Sequence, residues 1–341
     1  MEDLGRLSNS VRKISGSFWS DKRVFVTGAT GMIGSWLTKD LLSGGAHIVA
    51  LVQDANPQSE LIRSGDINRV SVVNGDLADY WTLERAINQY EIDTVFHLGA
   101  QTIVGTAHRL PLPTFESNIR GSYNLLEACR VHGDVVNRVL IASSDKAYGT
   151  QEALPYTEEM PLVGQFPYEV SKSCADLLAQ SYHHTYQLPV AVARCGNIYG
   201  GGDLNWSRIV PGAVRAFLSR EKFVVRSDGS YVRDFLFVKD VTKAYMLLAE
   251  SLADSRIPGE AFNFSLESPI SVLDLVKLIQ RLMACENSEV QIVDTAQGEI
   301  RSQYLAAAKA RALLGWSADY DLEKGLLETI RWYEDYLQMG R

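Results

Sequence analysis

Cysteine and histidine are scarce in this chain, and neither residue occurs in a pattern that binds a metal. The 341 residues include four cysteines and six histidines. The cysteines are widely separated and form no C-x-x-C pair, which argues against both a zinc site and a disulfide framework. The adjacent pair His183-His184 lacks the spacing of metal ligands, and we expect it on a solvated helix face. The sequence therefore predicts reduced thiols and no bound metal.

Long apolar runs and an excess of positive charge are also missing. No stretch approaches the roughly 18 consecutive apolar residues of a membrane-spanning helix. Residues 1–21 form a polar arm without the apolar core of a signal peptide. Lysine and arginine number 33 against 41 acidic residues, a formal net charge of −8 that argues against a general nucleic-acid or anionic-membrane surface. We expect a globular, cytoplasmic protein that binds neither nucleic acid nor membrane.

The chain up to residue 195 alternates short β-branched runs with longer amphipathic stretches. This rhythm predicts an α/β fold, a doubly wound parallel sheet with right-handed crossovers. The predicted strands cover residues 23–27, 47–52, 70–73, 94–98, 138–142 and 189–194, and the predicted helices cover 32–43, 81–90, 114–131 and 168–186.

Beyond residue 195 the alternation weakens around a glycine-rich loop at residues 200–202. We therefore expect three parts: an N-terminal arm at 1–21, a sheet domain at 22–195, and a smaller, discontinuous lobe at 196–341 over the open edge of the sheet. A further strand and helix of the sheet domain should come from about 230–265, and an amphipathic helix should end the chain near 322–337.

A glycine-rich turn follows the first predicted strand and precedes an apolar-periodic helix. Residues 28–34 read G-A-T-G-M-I-G. In a Rossmann-type fold such glycines allow a tight turn, close approach of a pyrophosphate to backbone N–H groups, and helix–strand packing. A lone glycine triplet is weak evidence, but here the strand and helix supply the required context. Asp54, at the end of the second strand, could bind the adenosine ribose and so favour NAD over NADP; Gln53 could do so instead, or Asp54 could be an ordinary loop residue.

Tyr168 and Lys172 stand four residues apart and therefore share one helix face. A nearby cation and the positive charge of an oxidised nicotinamide would lower the pKa of the phenol toward the range of a base. The spacing alone is common on exposed helices. It gains weight because the strand at 138–142 ends in Ser143-Ser144-Asp145-Lys146, at the sheet edge where ligands bind.

Together these motifs resemble the extended short-chain dehydrogenases, over roughly residues 22–338. The resemblance rests on the three glycines, on Gly75-Asp76-Leu77, His97-Leu98-Gly99-Ala100, Asn118, Ser144, Tyr168 and Lys172. The segment at 194–200 and Arg233-Asp234-Phe235 resemble the nucleotide-sugar segments of that family. The resemblance implies an NAD site in the sheet domain and a nucleotide-sugar site mainly in the lobe. The implied cofactor residues are Gly28, Thr30, Gly31, Met32, Ile33, Gly34, Asp54, Asp76, Leu77, Leu98, Ala100, Gln101, Tyr168 and Lys172.

Within this family the two residues after Ser144 are decisive. Sugar 4-epimerases usually carry small or apolar residues there, whereas 4,6-dehydratases carry Asp followed by Glu or, in CDP-glucose 4,6-dehydratases, by Lys. The segment at 194–211 also looks most like the CDP-glucose enzymes, but Tyr199 and the segment at 233–235 are closer to generic members and leave CDP, UDP, GDP and dTDP open. A 4-epimerase is disfavoured by Asp145-Lys146. A non-catalytic dinucleotide-sensing protein is disfavoured because Ser144, Tyr168 and Lys172 are all present.

The resemblance implies a lyase that uses NAD catalytically and forms a 4-keto-6-deoxy sugar. Tyr168, assisted by Lys172 and Ser144, would take the proton of the 4-hydroxyl, and a protonated Asp145 would release the 6-hydroxyl as water. Lys146 could be the base at carbon 5 if it is neutral, or it could orient Asp145 or the substrate. The expected substrate-binding residues are Asn118, Arg194, Asn197, Arg208 and Arg233, since arginine offers paired donors to phosphate. The resemblance also implies a homodimer through helices 114–131 and 168–186.

Overall fold

The computed structural model describes residues 18–295 and 300–339, and its centre is a seven-stranded parallel sheet. Residues 1–17 of the predicted N-terminal arm lie outside the described residues. The strands of the sheet are β1 (Arg23–Thr27), β2 (His47–Val52), β3 (Ser71–Asn74), β4 (Thr94–His97), β5 (Arg138–Ala142), β6 (Val190–Cys195) and, much later in the chain, β11 (Ala261–Phe264).

The strand order is β11-β6-β5-β4-β1-β2-β3, and all neighbours are parallel. The order reverses at β1, which pairs with β2 on one side and β4 on the other. Connections leave β1 and β4 in opposite directions, so a crevice opens outside the carboxyl ends of these strands. The expected α/β fold with a doubly wound parallel sheet is confirmed.

Helices cover both faces of the sheet because successive strand residues point to opposite sides. Val24 and Val26 of β1 pack on one side in a core with Leu37 and Leu41, whereas Phe25 packs on the other side with Leu83. The helices that complete these layers are α1 (Met32–Ser43), α2 (Glu60–Arg63), α3 (Tyr80–Gln89), α4 (Val104–Arg109), α5 (Pro111–Phe115), α6 (Gly121–Val131), α7 (Pro167–Tyr186) and α9 (Val238–Ser251).

Most predicted boundaries hold to within one residue, and the largest difference concerns the helix expected at 114–131. The structure has α5 and α6 there, joined by a π-helical turn at Glu116–Arg120. In this wider turn, the hydroxyl of Ser122 donates a hydrogen bond to the backbone carbonyl of Asn118 at 2.6 Å. A π-turn has no signature in hydrophobic periodicity, and such turns occur frequently at functional sites.

The remaining elements form short sheets and helices around a third core that contains Tyr199, Phe237 and Tyr333. The strands are β7 (Asn197–Tyr199), β8 (Phe223–Val225), β9 (Val232–Arg233), β10 (Phe235–Phe237), β12 (Ile270–Ser271), β13 (Val290–Ile292) and β14 (Ser302–Gln303), and the helices are α8 (Ile209–Leu218), α10 (Val272–Leu282) and α11 (Leu322–Met339). The division into a sheet domain and a lobe stays a prediction. Within the described residues, no helix has the length and apolar character needed to span a membrane.

Candidate active site

A cleft of about 1450 Å3 lies along the carboxyl ends of the central strands. Its walls include the glycine turn after β1, the residues that follow β4 and β5, and the start of α7. Segments from later in the chain close the other side, among them residues 205–211 and 223–227. The volume exceeds the few hundred to about 1000 Å3 of an ordinary small-molecule pocket, which leaves room for two ligands side by side.

The turn after β1 has the form of a pyrophosphate cradle. Gly28 has a φ of +71°, and a Cβ on it would lie 2.7 Å from the backbone nitrogen of Gly99. A Cβ on Gly34 would lie 2.1 Å from the carbonyl oxygen of Gly28, so only glycine lets α1 start this close to the strand. No side chain caps α1 at Gly31, and its first N–H groups therefore remain for an anion. These residues fit a dinucleotide.

Most of the predicted cofactor residues line the same cleft. They are Gly28, Thr30, Gly31, Met32, Ile33, Gly34, Asp54, Leu77, Leu98, Ala100, Gln101, Tyr168 and Lys172. Asp76 is not among the residues that line the cleft. Its carboxylate accepts hydrogen bonds from Nε2 of Gln53 at 2.9 Å and from the backbone N–H of Ala78 at 2.8 Å. Asp76 thus positions Gln53, which lines the cleft together with Asp54.

The polar residues after β5 are held in a short helical turn. Ser144 caps the 3-10 helix at Asp145–Tyr148: its hydroxyl accepts from the backbone of Lys146 at 3.2 Å and donates to Oδ1 of Asp145 at 3.0 Å. Nζ of Lys146 lies 3.3 Å from Oδ2 of Asp145. The carboxyl is 2% exposed, and the amine is a charged partner within ion-pair distance. The turn therefore presents a hydroxyl, a carboxyl and an amine to the cleft.

Burial opposes the charged form of the Lys146 amine. Desolvation is the largest cause, and it lowers the pKa of Lys146. The guanidinium of Arg233 acts in the same direction, whereas the carboxylates of Asp145 and Glu169 oppose it. The amine is therefore easier to deprotonate than an ordinary lysine, which is the condition that a role as base requires.

Tyr168 and Lys172 lie side by side on the first turns of α7 and both are buried. Burial raises the pKa of Tyr168 to about 12, although a hydrogen bond with Ser144 and the charge of Arg208 oppose this. Burial lowers the pKa of Lys172 to about 8, and its Nζ donates to the carbonyl of Ala142 at 2.8 Å. The sequence argument expected a lowered tyrosine pKa. The chain alone does not lower it, because the lysine bonds to a carbonyl and burial dominates.

Three of the predicted substrate residues line the cleft: Asn197, Arg208 and Arg233. Arg208 pairs with Asp203 at 3.0 Å, which orients its guanidinium. Arg233 donates to backbone carbonyls, including those of Val232 at 2.8 Å and Arg301 at 3.1 Å. Both guanidinium groups are thus fixed in place at the wall of the cleft, and either can offer donors to a phosphate.

The other two predicted substrate residues are placed elsewhere, which corrects the sequence analysis. Arg194 is 3% exposed and forms a paired bond with Asp176 at 2.8 and 2.9 Å, and it donates to the hydroxyl of Tyr148 at 2.8 Å. Its donors are used inside the protein. Asn118 is 2% exposed, and its amide bonds both backbone groups of Gln101 at 2.7 and 3.0 Å. Asn118 therefore shapes the cleft wall rather than facing a ligand.

Two residues near the cleft were not anticipated. Gln303, on β14, bonds both the amine of Lys146 and the backbone of Asp145. Arg226 lines the cleft and donates to the carbonyl of Ser207 at 2.7 Å. Neither residue lies in a motif, and no local spacing relates them to the catalytic turn. Among the described residues, no three histidine, cysteine or acidic side chains come together as a metal site.

Comparison with known proteins shows which family the chain belongs to. Residues 25–329 match the family model described as GDP-mannose 4,6 dehydratase. The chain belongs to this family. It is 29% identical over 341 residues to a CDP-glucose 4,6-dehydratase of Salmonella typhimurium, covering 95% of this chain and 94% of the relative. It is 30% identical over 328 residues to a dTDP-glucose 4,6-dehydratase of Xanthomonas campestris, covering 90% of this chain and 92% of the relative.

Solved structures give the same fold at similar identity. A dTDP-glucose 4,6-dehydratase of Streptomyces venezuelae, solved with NAD bound, has a TM-score of 0.83 at 27% identity and covers 92% of this chain and 97% of its own. A UDP-glucose 4-epimerase of Thermotoga maritima, solved with UDP-glucose, has a TM-score of 0.84 at 26% identity and covers 92% and 99%. The resemblance to the nucleotide-sugar dehydratases among the extended short-chain dehydrogenases is confirmed.

The reassignment of Arg194 in this GDP-mannose 4,6-dehydratase family member predicts a loss of stability rather than of binding. Arg194→Met leaves the buried carboxylate of Asp176 without its partner. Breaking such a pair should lower the free energy of unfolding by about 3–5 kcal/mol, measured by urea denaturation. The variant that remains folded should bind a nucleotide sugar with unchanged affinity.

Arg208→Met is the matched control, because Arg208 pairs with an aspartate but lines the cleft. The Arg208 side chain is 37% exposed although its partner Asp203 is only 6% exposed, so we expect a smaller loss of stability than in Arg194→Met, together with weaker binding by calorimetry. A stable Arg194→Met protein that binds poorly would return Arg194 to the substrate site.

Proposed function

We propose that this chain is an NAD-dependent CDP-glucose 4,6-dehydratase. The 4,6-dehydratase class follows from the family. The observation that carries the assignment is the contact of 3.3 Å between the amine of Lys146 and the carboxyl of Asp145, beside Ser144 and Tyr168. The finer choice of CDP-glucose is supported by the Asp-Lys sequence and by the Salmonella typhimurium relative, which matches along nearly its whole length.

The proposed cofactor is NAD, held by the glycine turn after β1. The free N–H groups at the start of α1 would bind its pyrophosphate, and the exposed Asp54 would bind the adenosine ribose and repel the 2′-phosphate of NADP. Two related dTDP-glucose 4,6-dehydratase structures were solved with NAD. When bound, NAD supplies a hydride acceptor for carbon 4 and, once reduced, the hydride donor for carbon 6.

The first proton transfer is assigned to Tyr168. Its Oη takes the proton of the 4-hydroxyl, and Ser144 hydrogen-bonds both this phenol and Oδ1 of Asp145, the latter at 3.0 Å. The three groups thus form a continuous path from the 4-hydroxyl to Asp145. Asp145 passes a proton to the departing 6-hydroxyl, which leaves as water, and the path from Tyr168 restores that proton.

The second proton transfer is assigned to Lys146. Its Nζ removes the proton of carbon 5, which the neighbouring ketone makes acidic, and returns that proton to carbon 5 after carbon 6 is reduced. The amine must be neutral at the start. A proton that moves from Nζ to Oδ2 of Asp145, across their 3.3 Å contact, leaves an amine and a carboxylic acid. These are the two forms that elimination requires.

The diphosphate of the substrate is assigned to Arg208 and Arg233, with Asn197 beside them. Both guanidinium groups are oriented by protein acceptors, so little side-chain entropy is lost when they bind a phosphate. We leave Arg194 and Asn118 out of the binding site because their polar groups bond within the protein.

A 4-epimerase is the second candidate function, favoured by the solved epimerase of similar fold. Epimerisation at carbon 4 needs proton and hydride transfer at that carbon but no acid for the 6-hydroxyl and no base at carbon 5. The buried Asp145 and its amine partner would then have no task. Elimination uses both groups, one as the acid for the 6-hydroxyl and the other as the base at carbon 5, so we favour dehydration.

We further propose that the protein is a homodimer through α6 and α7. These helices pack against each other and expose large apolar side chains. The exposed fractions are 40% for Tyr123, 48% for Val131, 54% for Leu177 and 53% for Tyr186. A second copy that covers this surface would remove the apolar area from water.

The proposed dimer predicts that Leu177→Asp shifts the protein toward the monomer mass. A charge at a buried apolar contact is unfavourable because it loses its hydration. The measurement is sedimentation equilibrium at several protein concentrations. Ile292→Asp is the control, because Ile292 is 45% exposed on β13, away from α6 and α7. Equal masses for both variants and the wild type would contradict this interface.

The proposed activity predicts a product that is lighter than the substrate by one water. Purified protein with NAD is incubated with CDP-, UDP-, GDP- and dTDP-glucose, and products are followed by mass spectrometry. We expect CDP-glucose to be turned over fastest, with no accumulation of reduced nicotinamide. Preference for another nucleotide would overturn the CDP assignment alone. An isomer without water loss would identify a 4-epimerase.

Variants at Asp145 and Lys146 should separate oxidation from elimination. Asp145→Asn removes the transferable proton, and Lys146→Met removes the amine, while Tyr168 is left intact. Both should still reduce bound NAD in a single turnover, and both should lose water about 10²–10⁴-fold more slowly. Lys146→Met should also slow exchange of the carbon 5 proton with heavy water. Persistent exchange together with failed water loss would show that Lys146 only orients Asp145.

A further inference from the structure

Gln303 bridges the catalytic turn to a strand that is 157 residues away in sequence. It lies on β14 and is fully buried. Its Oε1 accepts a hydrogen bond from Nζ of Lys146, and its Nε2 donates to the backbone carbonyl of Asp145 at 2.9 Å. We propose that Gln303 is a positioning residue that aims the amine of Lys146 at carbon 5. This inference rests on the proposed dehydratase function.

The orientation of the Gln303 amide follows from its partners. The backbone carbonyl of Asp145 can only accept, so the amide nitrogen must face it. The amide oxygen is thereby turned to Nζ of Lys146, which is a donor in both of its protonation states. A reversed amide would place its oxygen against the carbonyl oxygen of Asp145, so that two acceptors would face each other. The bridge therefore has one stable arrangement.

The bridge also determines where the lone pair of a neutral Lys146 can point. A neutral amine has two hydrogens and one lone pair. When the acid proton of Asp145 is directed to the 6-hydroxyl of the substrate, two acceptors face Nζ: a lone pair of Oδ2 of Asp145 at 3.3 Å and Oε1 of Gln303. When both hydrogens are used by these acceptors, the lone pair occupies the remaining tetrahedral position. Lys146 lines the cleft, so that position is left for the substrate.

An uncharged acceptor suits this task better than a carboxylate would. The charged groups that act on Lys146 are Asp145 on its own turn, Glu169 on α7 and Arg233 on β9. A third carboxylate at position 303 would stabilise the ammonium form and remove the base. The glutamine amide holds the nitrogen without adding charge. Burial can then keep the pKa of Lys146 below its ordinary value.

The strand that carries Gln303 is itself fixed by a residue of the cleft. In the parallel pairing of β14 with β9, Gln303 stands opposite Arg233. The guanidinium of Arg233 donates to the carbonyls of Ile300 and Arg301, which precede β14. The residue assigned to the substrate diphosphate and the residue assigned to the base are thus held by the same pair of short strands.

Two substitutions at position 303 test the inference. Gln303→Met keeps the length but removes both hydrogen bonds. It should slow water loss and carbon 5 exchange about 10²-fold, the effect of a group misplaced by about 1 Å. Reduction of bound NAD in a single turnover should stay near the wild-type rate. Gln303→Glu places a carboxylate at Nζ and should raise the pKa of Lys146 by about 1–3 units. Because the neutral amine is active, the rising limb of the pH–rate profile should move to higher pH by that amount.

Gln280→Met is the matched control, since Gln280 is also a buried glutamine that donates to a backbone carbonyl, that of Ser288, at 2.9 Å. It should leave both the rates and the pH profile unchanged. An unshifted profile in Gln303→Glu, or equal losses of oxidation and water loss in Gln303→Met, would overturn the positioning role. If circular dichroism shows that one of the two Gln303 variants is unfolded, the result for the other variant tests the positioning role. Absence of water loss in the wild type would instead overturn the proposed function.

Discussion

A buried carboxyl paired with a partly buried amine at the end of β5 is the constraint on which the site depends. Removing each ion from water costs several kcal/mol unless other groups replace the lost hydration. For Asp145 and Lys146, hydrogen bonds that replace the lost hydration come from two distant parts of the sequence: from Ser144 in the same turn and from Gln303 on β14. The pair is therefore satisfied only when the short strands after residue 196 lie over the end of the large sheet.

A second buried pair contacts the same turn and explains why an arginine stands near the end of β6. Arg194 offers two parallel donors to Asp176 on α7, a geometry that lysine cannot match. A third donor reaches the hydroxyl of Tyr148, the last residue of the catalytic 3-10 helix. Tyr148 in turn donates to Asn263 on β11 at 2.8 Å. Arg194 thus holds α7, β6 and the catalytic turn at fixed distances, and its part in the site is indirect.

The elements and motifs that depend on local pattern were predictable from sequence. Short β-branched runs located β1, β2 and β5 to the residue. The glycine turn and the Tyr168–Lys172 spacing were recognisable because each is complete within seven residues. Arg194 and Asn118 were misassigned because a motif gives a residue's type but not the partner that it meets after folding. Arg194 meets an aspartate 18 residues away, and Asn118 meets the backbone of Gln101.

Gln303 illustrates the part of the site that no local pattern could reveal. Its neighbours in sequence carry no chemical signature, and its role arises because β14 pairs with β9 beside the turn after β5. A solved epimerase and a solved dehydratase both share this fold, so the fold by itself does not decide between epimerisation and elimination.

In the proposed mechanism, elimination needs Asp145 as an acid and Lys146 as a neutral amine, a form with the same total charge as the ion pair. Burial penalises the ion pair and leaves the neutral form almost unaffected. An uncharged partner such as Gln303 preserves that bias. The proposed mechanism therefore assigns part of the control of the reaction to Gln303, a residue outside every motif.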